Sequence, residues 1–305
     1  VKLRFAEGCG AVIGEFEWLL EGTDWVISPA KGKFDLSKGG VVLDCAALGT
    51  GYRYPLPRLR ITTDLNGQEY QSWSTLEPVI CAHMSRLDRE AVEFEIDGRL
   101  TESFWLSSSD SDIKSFGDDA GKSCPTDPWA LKIVVVGDRL LIAGTIMSGS
   151  ERAGTDPDTD KETDKGDQDE VDPTNREMKR DTPVFMEDCV YLIFWSKEDP
   201  ARISQVIVNR LGDVMDQQGQ VTERSPYYRP QMDREWNADL KLGCARENDK
   251  WTFEIQLPLK DLGIDVKASE ILFNALRYQP ERQALAIWQI PATYYPEDAG
   301  KLRID

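Results

Sequence analysis

Histidine is almost missing from this chain: among 305 residues the only one is His83. A Ser-His-Asp or Cys-His site therefore has one candidate base to draw on, and little supports nucleophilic catalysis of that kind. Cysteine is sparse as well. Cys9, Cys45, Cys81, Cys124, Cys189 and Cys244 are so spread that no two stand at C-x-x-C or knuckle spacing. Nothing supports a zinc ribbon or a thioredoxin-type pair. An even number of cysteines permits disulfides without selecting a pattern, and Cys189 and Cys244 lie in apolar runs where a small buried thiol fits equally well. No stretch approaches the roughly 18–20 consecutive apolar residues of a membrane-spanning helix. Cations are short too: 36 Lys and Arg face 54 Asp and Glu, a formal charge of −18. Nucleic-acid binding draws its affinity from cationic contacts to phosphate, so that partner class is excluded.

What the chain does have is aromatic bulk and period-two patterning. Nine Trp, nine Tyr and ten Phe supply large core side chains to a polypeptide that is 30% charged. Leu59 and Ile61 alternate with Arg58, Arg60 and Thr62; Val92, Phe94 and Ile96 alternate with Glu93 and Glu95. Such alternation predicts half-buried strands. Asn66-Gly67 marks a tight hairpin turn, because both residues tolerate positive φ, and Gly39-Gly40 precedes a short strand at Val41-Val42-Leu43. We read 1–97 as a small antiparallel β-sandwich of no assigned family, with a boundary near Asp97-Gly98. Further on, Trp129 to Val136, the turn Gly137-Asp138 and Arg139 to Ile146 read as a hairpin. Trp251, Phe253, Ile255 and Leu257 face one way, opposite Thr252, Glu254 and Gln256. The fold class is all-β: two antiparallel β-sandwich domains, 1–97 and 98–305.

Residues 150–182 interrupt the second domain. They hold twelve Asp or Glu and six Lys or Arg with almost no large apolar side chain. Such a segment cannot bury enough surface to offset its ordering entropy, so a flexible, solvent-exposed acidic insertion is expected. Within it Asp156, Asp158, Asp160, Glu162, Asp164 and Asp167 fall at the spacing of a calcium loop. Against that reading, Lys161 stands where a glycine makes the sharp turn, and Asp167 is shorter than the usual final glutamate. A charged, solvated loop is the plain alternative.

The later two thirds carry an order of motifs. Cys189-Val190-Tyr191-Leu192-Ile193-Phe194-Trp195 is followed by Ile203 through Gly212, then Trp236-Asn237-Ala238. Trp251 through Leu259 comes next, then Phe273-Asn274-Ala275-Leu276-Arg277-Tyr278, and finally Trp288 through Arg303. That order resembles the β-sandwich of family 9 carbohydrate-binding modules and their DOMON-type relatives, over about residues 98–305. The resemblance implies a non-catalytic module of a larger secreted or surface protein that binds a chain end or short oligosaccharide. It further implies an extracellular or cell-envelope location, and a structural calcium ion whose ligands it does not locate. Sugar recognition needs aromatic faces with amide, carboxylate and guanidinium groups around them. In the family these come from loops at one end of the sandwich. The candidates are Trp236 and Trp288 as stacking platforms, with Asn209, Asn237, Arg277 and Gln289 bonding hydroxyls. Where family members close on an aromatic stretch ending in a Phe-Gly turn, this chain has Tyr294-Tyr295-Pro296-Glu297-Asp298.

Two other readings of the same resemblance stand beside it. In the first, the sandwiches serve instead as a structural or protein-interaction module facing neighbouring domains. Some DOMON-type domains hold haem through Met with His or Lys; here His83, Met84, Met147 and Met215 are the residues to consider. Two enzyme-like signals are declined. Gly8-Cys9-Gly10 through Gly14 lacks the helix and βαβ alternation of a dinucleotide loop. Carboxylates are so abundant that no pair is singled out for glycoside cleavage. No cofactor is required by this reading.

Overall fold

The computed structural model describes residues 2–3, 13–35, 41–42, 46–49, 54–65, 67–75, 78–107, 113–124, 126–147, 178–223, 229–247 and 249–305. The expected calcium loop (Asp156, Asp158, Asp160, Asp164), the Gly39-Gly40 turn and Asn66 lie outside them. The chain forms two compact units, Val1–Pro78 with Ser115–Cys124, and Val79–Lys114 with Pro125–Asp305. The leading stretch of the first unit thus runs to Pro78, not to the boundary expected near Asp97-Gly98. The reason is strand pairing, since 81–87 hydrogen-bonds to strands of the second unit.

The first unit contains β1 (Lys2–Leu3), β2 (Ile13–Leu19), β3 (Trp25–Ser28), β4 (Lys31–Asp35), β5 (Val41–Val42), β6 (Ala46–Gly49), β7 (Arg58–Leu65) and β8 (Gln68–Thr75). A four-stranded sheet runs β4-β2-β7-β8, and β1–β5 and β3–β6 form two-stranded ladders. Period-two patterning explains the sheet: Phe16, Trp18, Phe34, Leu59 and Ile61 turn inward with Ile27 to make the core. The β7–β8 hairpin closes with Leu65 opposite Gln68, Gly67 at φ 80° and its N–H donated to Asp64 Oδ1 at 2.7 Å. The opposite face is polar. Across it Lys31, Glu17, Arg60 and Trp73 are consecutive cross-strand neighbours, and Trp73 is 47% exposed.

The second unit is the larger. It contains β9 (Cys81–Met84), β10 (Arg86–Leu87), the short helix α1 (Ser103–Ser107), β11 (Trp129–Val136), β12 (Arg139–Met147), β13 (Cys189–Trp195), β14 (Arg202–Asn209) and β15 (Val214–Gln220). It continues with β16 (Met232–Asp233), β17 (Lys241–Glu247), β18 (Lys250–Pro258), β19 (Glu270–Gln279), β20 (Ala284–Ile287) and β21 (Gly300–Ile304). A five-stranded sheet runs β10-β11-β12-β18-β17. An eight-stranded sheet runs β16-β15-β14-β13-β19-β21-β9, with β20 also on β19. Pairing is antiparallel except for β10 on β11 and β9 on β21, both supplied by the stretch after Pro78. The all-β expectation holds, and the domain is a sandwich with mixed edges.

Between the sheets lies a largely apolar core. Leu140, Ile142, Ile146, Phe253, Ile255 and Leu257 from one side meet Val190, Leu192, Phe194, Val206, Phe273 and Trp288 from the other, all essentially buried. The strand at 250–258 is not half-buried as its alternation suggests: Glu254 is 1% exposed and Thr252 and Gln256 are each 9% exposed. An arm covers its outer face. Leu87, Val92, Phe94, Ile96 and Leu100 pack with Phe104 and Trp105 over Val134, Val136, Leu141 and Ala143. The alternation of Val92, Phe94 and Ile96 therefore marks an extended arm that lies on a sheet, not a strand within one.

That cover seals Glu254 among N–H donors. Its Oε1 accepts from Trp105 Nε1 at 2.7 Å, and Oε2 from Gly98 N at 2.9 Å and Asp97 N at 3.2 Å. Burial, reinforced by the Glu102 carboxylate, nevertheless pushes the Glu254 carboxyl up to about 7. Asp216, fully buried, is likewise raised by burial; its Oδ2 accepts from Ala238 N at 2.7 Å and Arg180 Nε lies 3.4 Å from Oδ1.

Candidate functional site

The outward face of the eight-stranded sheet carries a groove of about 610 Å³. Its floor follows from strand alternation. On β13 Val190, Leu192 and Phe194 point into the core, so Tyr191 and Ile193 point out. Their partners Leu276 on β19 and Gln205 on β14 point out with them, as does Tyr278 opposite Cys189. Leu285 on β20 extends the floor beside Tyr278. One wall is the turn at Val184–Met186, where Val184 and Phe185 pack with Ile207 and Cys189 and the exposed Met186 lines the rim. The other wall is the segment 292–295, with Tyr294 and Tyr295.

That second wall is anchored from beneath. Trp195 Nε1 donates to the Tyr294 carbonyl at 3.0 Å, Thr293 Oγ1 donates to Asp298 Oδ2 at 2.7 Å, and Tyr295 N donates to Thr293 Oγ1 at 3.1 Å. Four tyrosines, 191, 278, 294 and 295, thus line one concave surface with Gln205, Thr293 and Arg229 as its polar groups. The Arg229 guanidinium lies 5.6 Å from the centroid of the Tyr294 ring, a cation–π distance. Tyr191 is kept protonated: burial raises its phenol first, then the Cys189 thiol, with Tyr294 and Tyr278 adding to the effect. Cys189 itself is pushed up to about 12 by burial and by the Asp188 charge. The site offers apolar ring faces with phenol and amide hydrogen-bonding edges, the mixture that small-molecule sites use. Among the described residues, no group of three or more His, Cys, Asp or Glu could hold a metal ion.

The residues expected from the sequence stand elsewhere. Arg277 has no exposed surface. It faces inward, donating to Asp188 Oδ1 at 3.0 Å and Oδ2 at 2.7 Å, and to the carbonyls of Asp127 and Met147 that flank the other sheet. It pins the two sheets together, with its donors spent inside the protein. Trp288, 1% exposed, packs on Phe273 at 5.6 Å between centroids and against Gly300, so neither ring face is open to a ligand. Gln289 accepts from Ile80 N at 2.7 Å and donates to the Ile290 carbonyl at 2.6 Å. Asn209 donates to Glu187 and accepts from Leu211 N and Asp213 N, shaping the β14–β15 turn. These four serve structure in the buried interior.

Trp236 is half-buried and Asn237 exposed, the latter donating to the Glu235 carbonyl at 2.8 Å. Neither lines the tyrosine groove. The preceding residues 231–235 border a separate polar hollow of about 760 Å³ with Gln218, Gln220 and Thr222. As for haem, His83 is exposed and bonded to Asp305 at 3.0 Å, whereas Met84 beside it is buried on the opposite face of β9. The sequence reading missed Tyr191, Tyr278 and Arg229. It noted Tyr294-Tyr295 only as a departure from a family pattern, yet they form a wall of the groove.

No helix among the described residues is long and apolar enough to cross a membrane. No protein-family model matches the chain, and no curated protein matches it. Solved structures do resemble it over 74% of its length. One is a candidate carbohydrate-binding protein from Bacteroides uniformis ATCC 8492, with 13% identity, 99% of that chain covered and a TM-score of 0.47. The chain is also similar to a family 9 carbohydrate-binding module from Caldicellulosiruptor kristjanssonii. In its complex with glucose the identity is 10%, the coverage of that chain 95% and the TM-score 0.42. In its complex with cellotriose the values are 11%, 93% and 0.42.

Proposed function

We propose that this chain is a non-catalytic carbohydrate-binding protein whose saccharide seat is the tyrosine groove. The observation that carries the reading is the gathering of Tyr191, Tyr278, Tyr294 and Tyr295 on one concave surface of about 610 Å³. Pyranose rings offer axial C–H faces to such phenol rings and hydroxyls to their edges. The volume falls in the range of small-ligand pockets, so a chain end or short oligosaccharide fits better than a long polymer laid flat. A role as one module of a larger secreted or surface polypeptide belongs to the same proposal.

The test is a glycan screen followed by calorimetry on the full chain and three variants. Tyr278→Ala and Tyr294→Ala are expected to weaken binding at least about tenfold, the loss of a stacked ring being worth roughly 1.5 kcal/mol or more. Trp236→Ala is expected to leave it unchanged. Loss with Trp236→Ala alone would move the seat away from the tyrosine groove, and no binding to any saccharide would sink the proposal.

A second reading, an interaction module, is favoured by one observation on the first unit. Strand β8 is exposed on both faces, and Trp73 lies under Arg58 at 4.9 Å on an open sheet face. A pull-down that loses a partner on Trp73→Ala while saccharide binding persists would assign that face to a protein.

A further inference from the structure

We infer that the groove selects a saccharide whose end residue carries an acetamido group, an N-acetylhexosamine, and that the Gln205 amide receives that group. This rests on the groove being a saccharide seat. Gln205 stands on β14 between Ile193 of β13 and Gln217 of β15, on the groove floor. The residue is 6% exposed, yet its amide is only half used. Its oxygen accepts from Gln217 Nε2, whereas its own Nε2 has no hydrogen-bond partner among the described residues. That nitrogen keeps contact with solvent, and the solvent beside it is that of the groove. Two further polar groups of the groove are committed elsewhere. The Tyr191 phenol bonds the Cys189 thiol, and Thr293 Oγ1 donates to Asp298 while accepting from Tyr295 N.

The bond to Gln217 also holds the Gln205 side chain in place, which spares a ligand the cost of ordering it. The groove around it is rich in apolar surface: Ile193, Leu276 and Leu285 on the floor, with Phe185 and Ala292 beside them, have no side-chain hydrogen bond to give. A sugar hydroxyl laid there gives up its water for little in return, and a polar group buried without a partner is costly. An acetamido group suits both parts of this surface. Its methyl covers apolar area while its amide meets that of Gln205. Because it carries a carbonyl acceptor and an N–H donor, it pairs with a primary amide whichever end of that amide faces outward. The tyrosine rings stack on either kind of sugar, so the substituent decides between them.

Calorimetry on the full chain tests this with two matched pairs: N-acetylglucosamine-ended and N-acetylgalactosamine-ended oligosaccharides, each against the counterpart with a hydroxyl in place of the acetamido group. At least one acetamido member should bind about tenfold tighter than its counterpart, the margin expected of one buried methyl and one net hydrogen bond. Gln205→Met, close in volume but without the amide, should cut that margin to about fourfold or less, the share left to the methyl. Circular dichroism and the urea midpoint verify that the variant folds. The comparison of ligands on the unaltered chain needs no variant, so it decides the matter even where Gln205→Met does not fold. Tyr278→Ala should weaken both members of a pair together. If the hydroxyl forms bind as tightly as the acetamido forms, or the full margin survives in folded Gln205→Met, the inference is overturned while the saccharide reading stands. If neither member of any pair binds, and the glycan screen is also blank, both fall.

Discussion

Glu254 makes a stability prediction with a definite sign. Its carboxyl is sealed beneath the 87–107 arm and is pushed from an ordinary 4.5 up to about 7. The folded chain therefore binds this proton more tightly than the unfolded chain does. Stability from the group is fully present below pH 4.5 and is lost as pH rises through 7. The gap between 4.5 and 7 corresponds to about 3.4 kcal/mol, of which about 2.5 kcal/mol falls between pH 5 and pH 8. Other acids titrate as well, so the informative quantity is the difference between wild type and Glu254→Gln. Glutamine stays neutral throughout. Urea unfolding followed by far-ultraviolet circular dichroism at pH 5 and pH 8 should find wild type losing about 2.5 kcal/mol relative to the variant on going to pH 8. A constant between the two proteins would mean that the three N–H donors around Glu254 fully offset its burial, and the reasoning would fail.

Two further outcomes follow from the buried chemistry. Asp188→Ala leaves the fully buried Arg277 guanidinium without its counter-charge and should destabilise the second unit by about 3–5 kcal/mol in urea unfolding; a loss below about 1 kcal/mol would show the pin to be dispensable. Cys189 and Cys244, both pushed up to about 12 mainly by burial, have a thiolate fraction of about 1 in 10,000 at pH 8. Iodoacetamide followed by peptide mass spectrometry should label them slowly in the folded chain and quickly in urea, and rapid native labelling of either would contradict their burial.

The fold class was legible because strand alternation is a local signal, as at Leu59 and Ile61, whose inward turn the structure bears out. The site was not, for a physical reason. In β13, β14, β18 and β19 both faces are largely covered, one by the opposite sheet and the other by walls or the arm, so apolar residues run on without alternation. Tyr191 inside such a run carries no mark that its ring faces a groove. Arg277 looks like a polar residue stranded in a strand, and only the three-dimensional position of Asp188, far away in sequence, explains it. Asn209, Trp288 and Gln289 have the right chemistry for a sugar but point into the interior. Tyr294-Tyr295 stood outside any alternating pattern and beside Pro296, which was the one readable hint of an exposed aromatic wall. Val92, Phe94 and Ile96 misled because an arm laid across a sheet alternates as a strand does.

The polypeptide passes between its two units three times, at 78/79, 114/115 and 124/125. A protease that nicks any one of these crossings leaves the halves still tethered by covalent chain, and only a third cut severs the last covalent link. Trimming to 98–305 would delete β9 and β10, baring the flanks of β21 and β11 as unsatisfied hydrogen-bonding templates that invite self-association. Recombinant shuffling of the second unit would have to transplant its leading segment, 79–114, along with it.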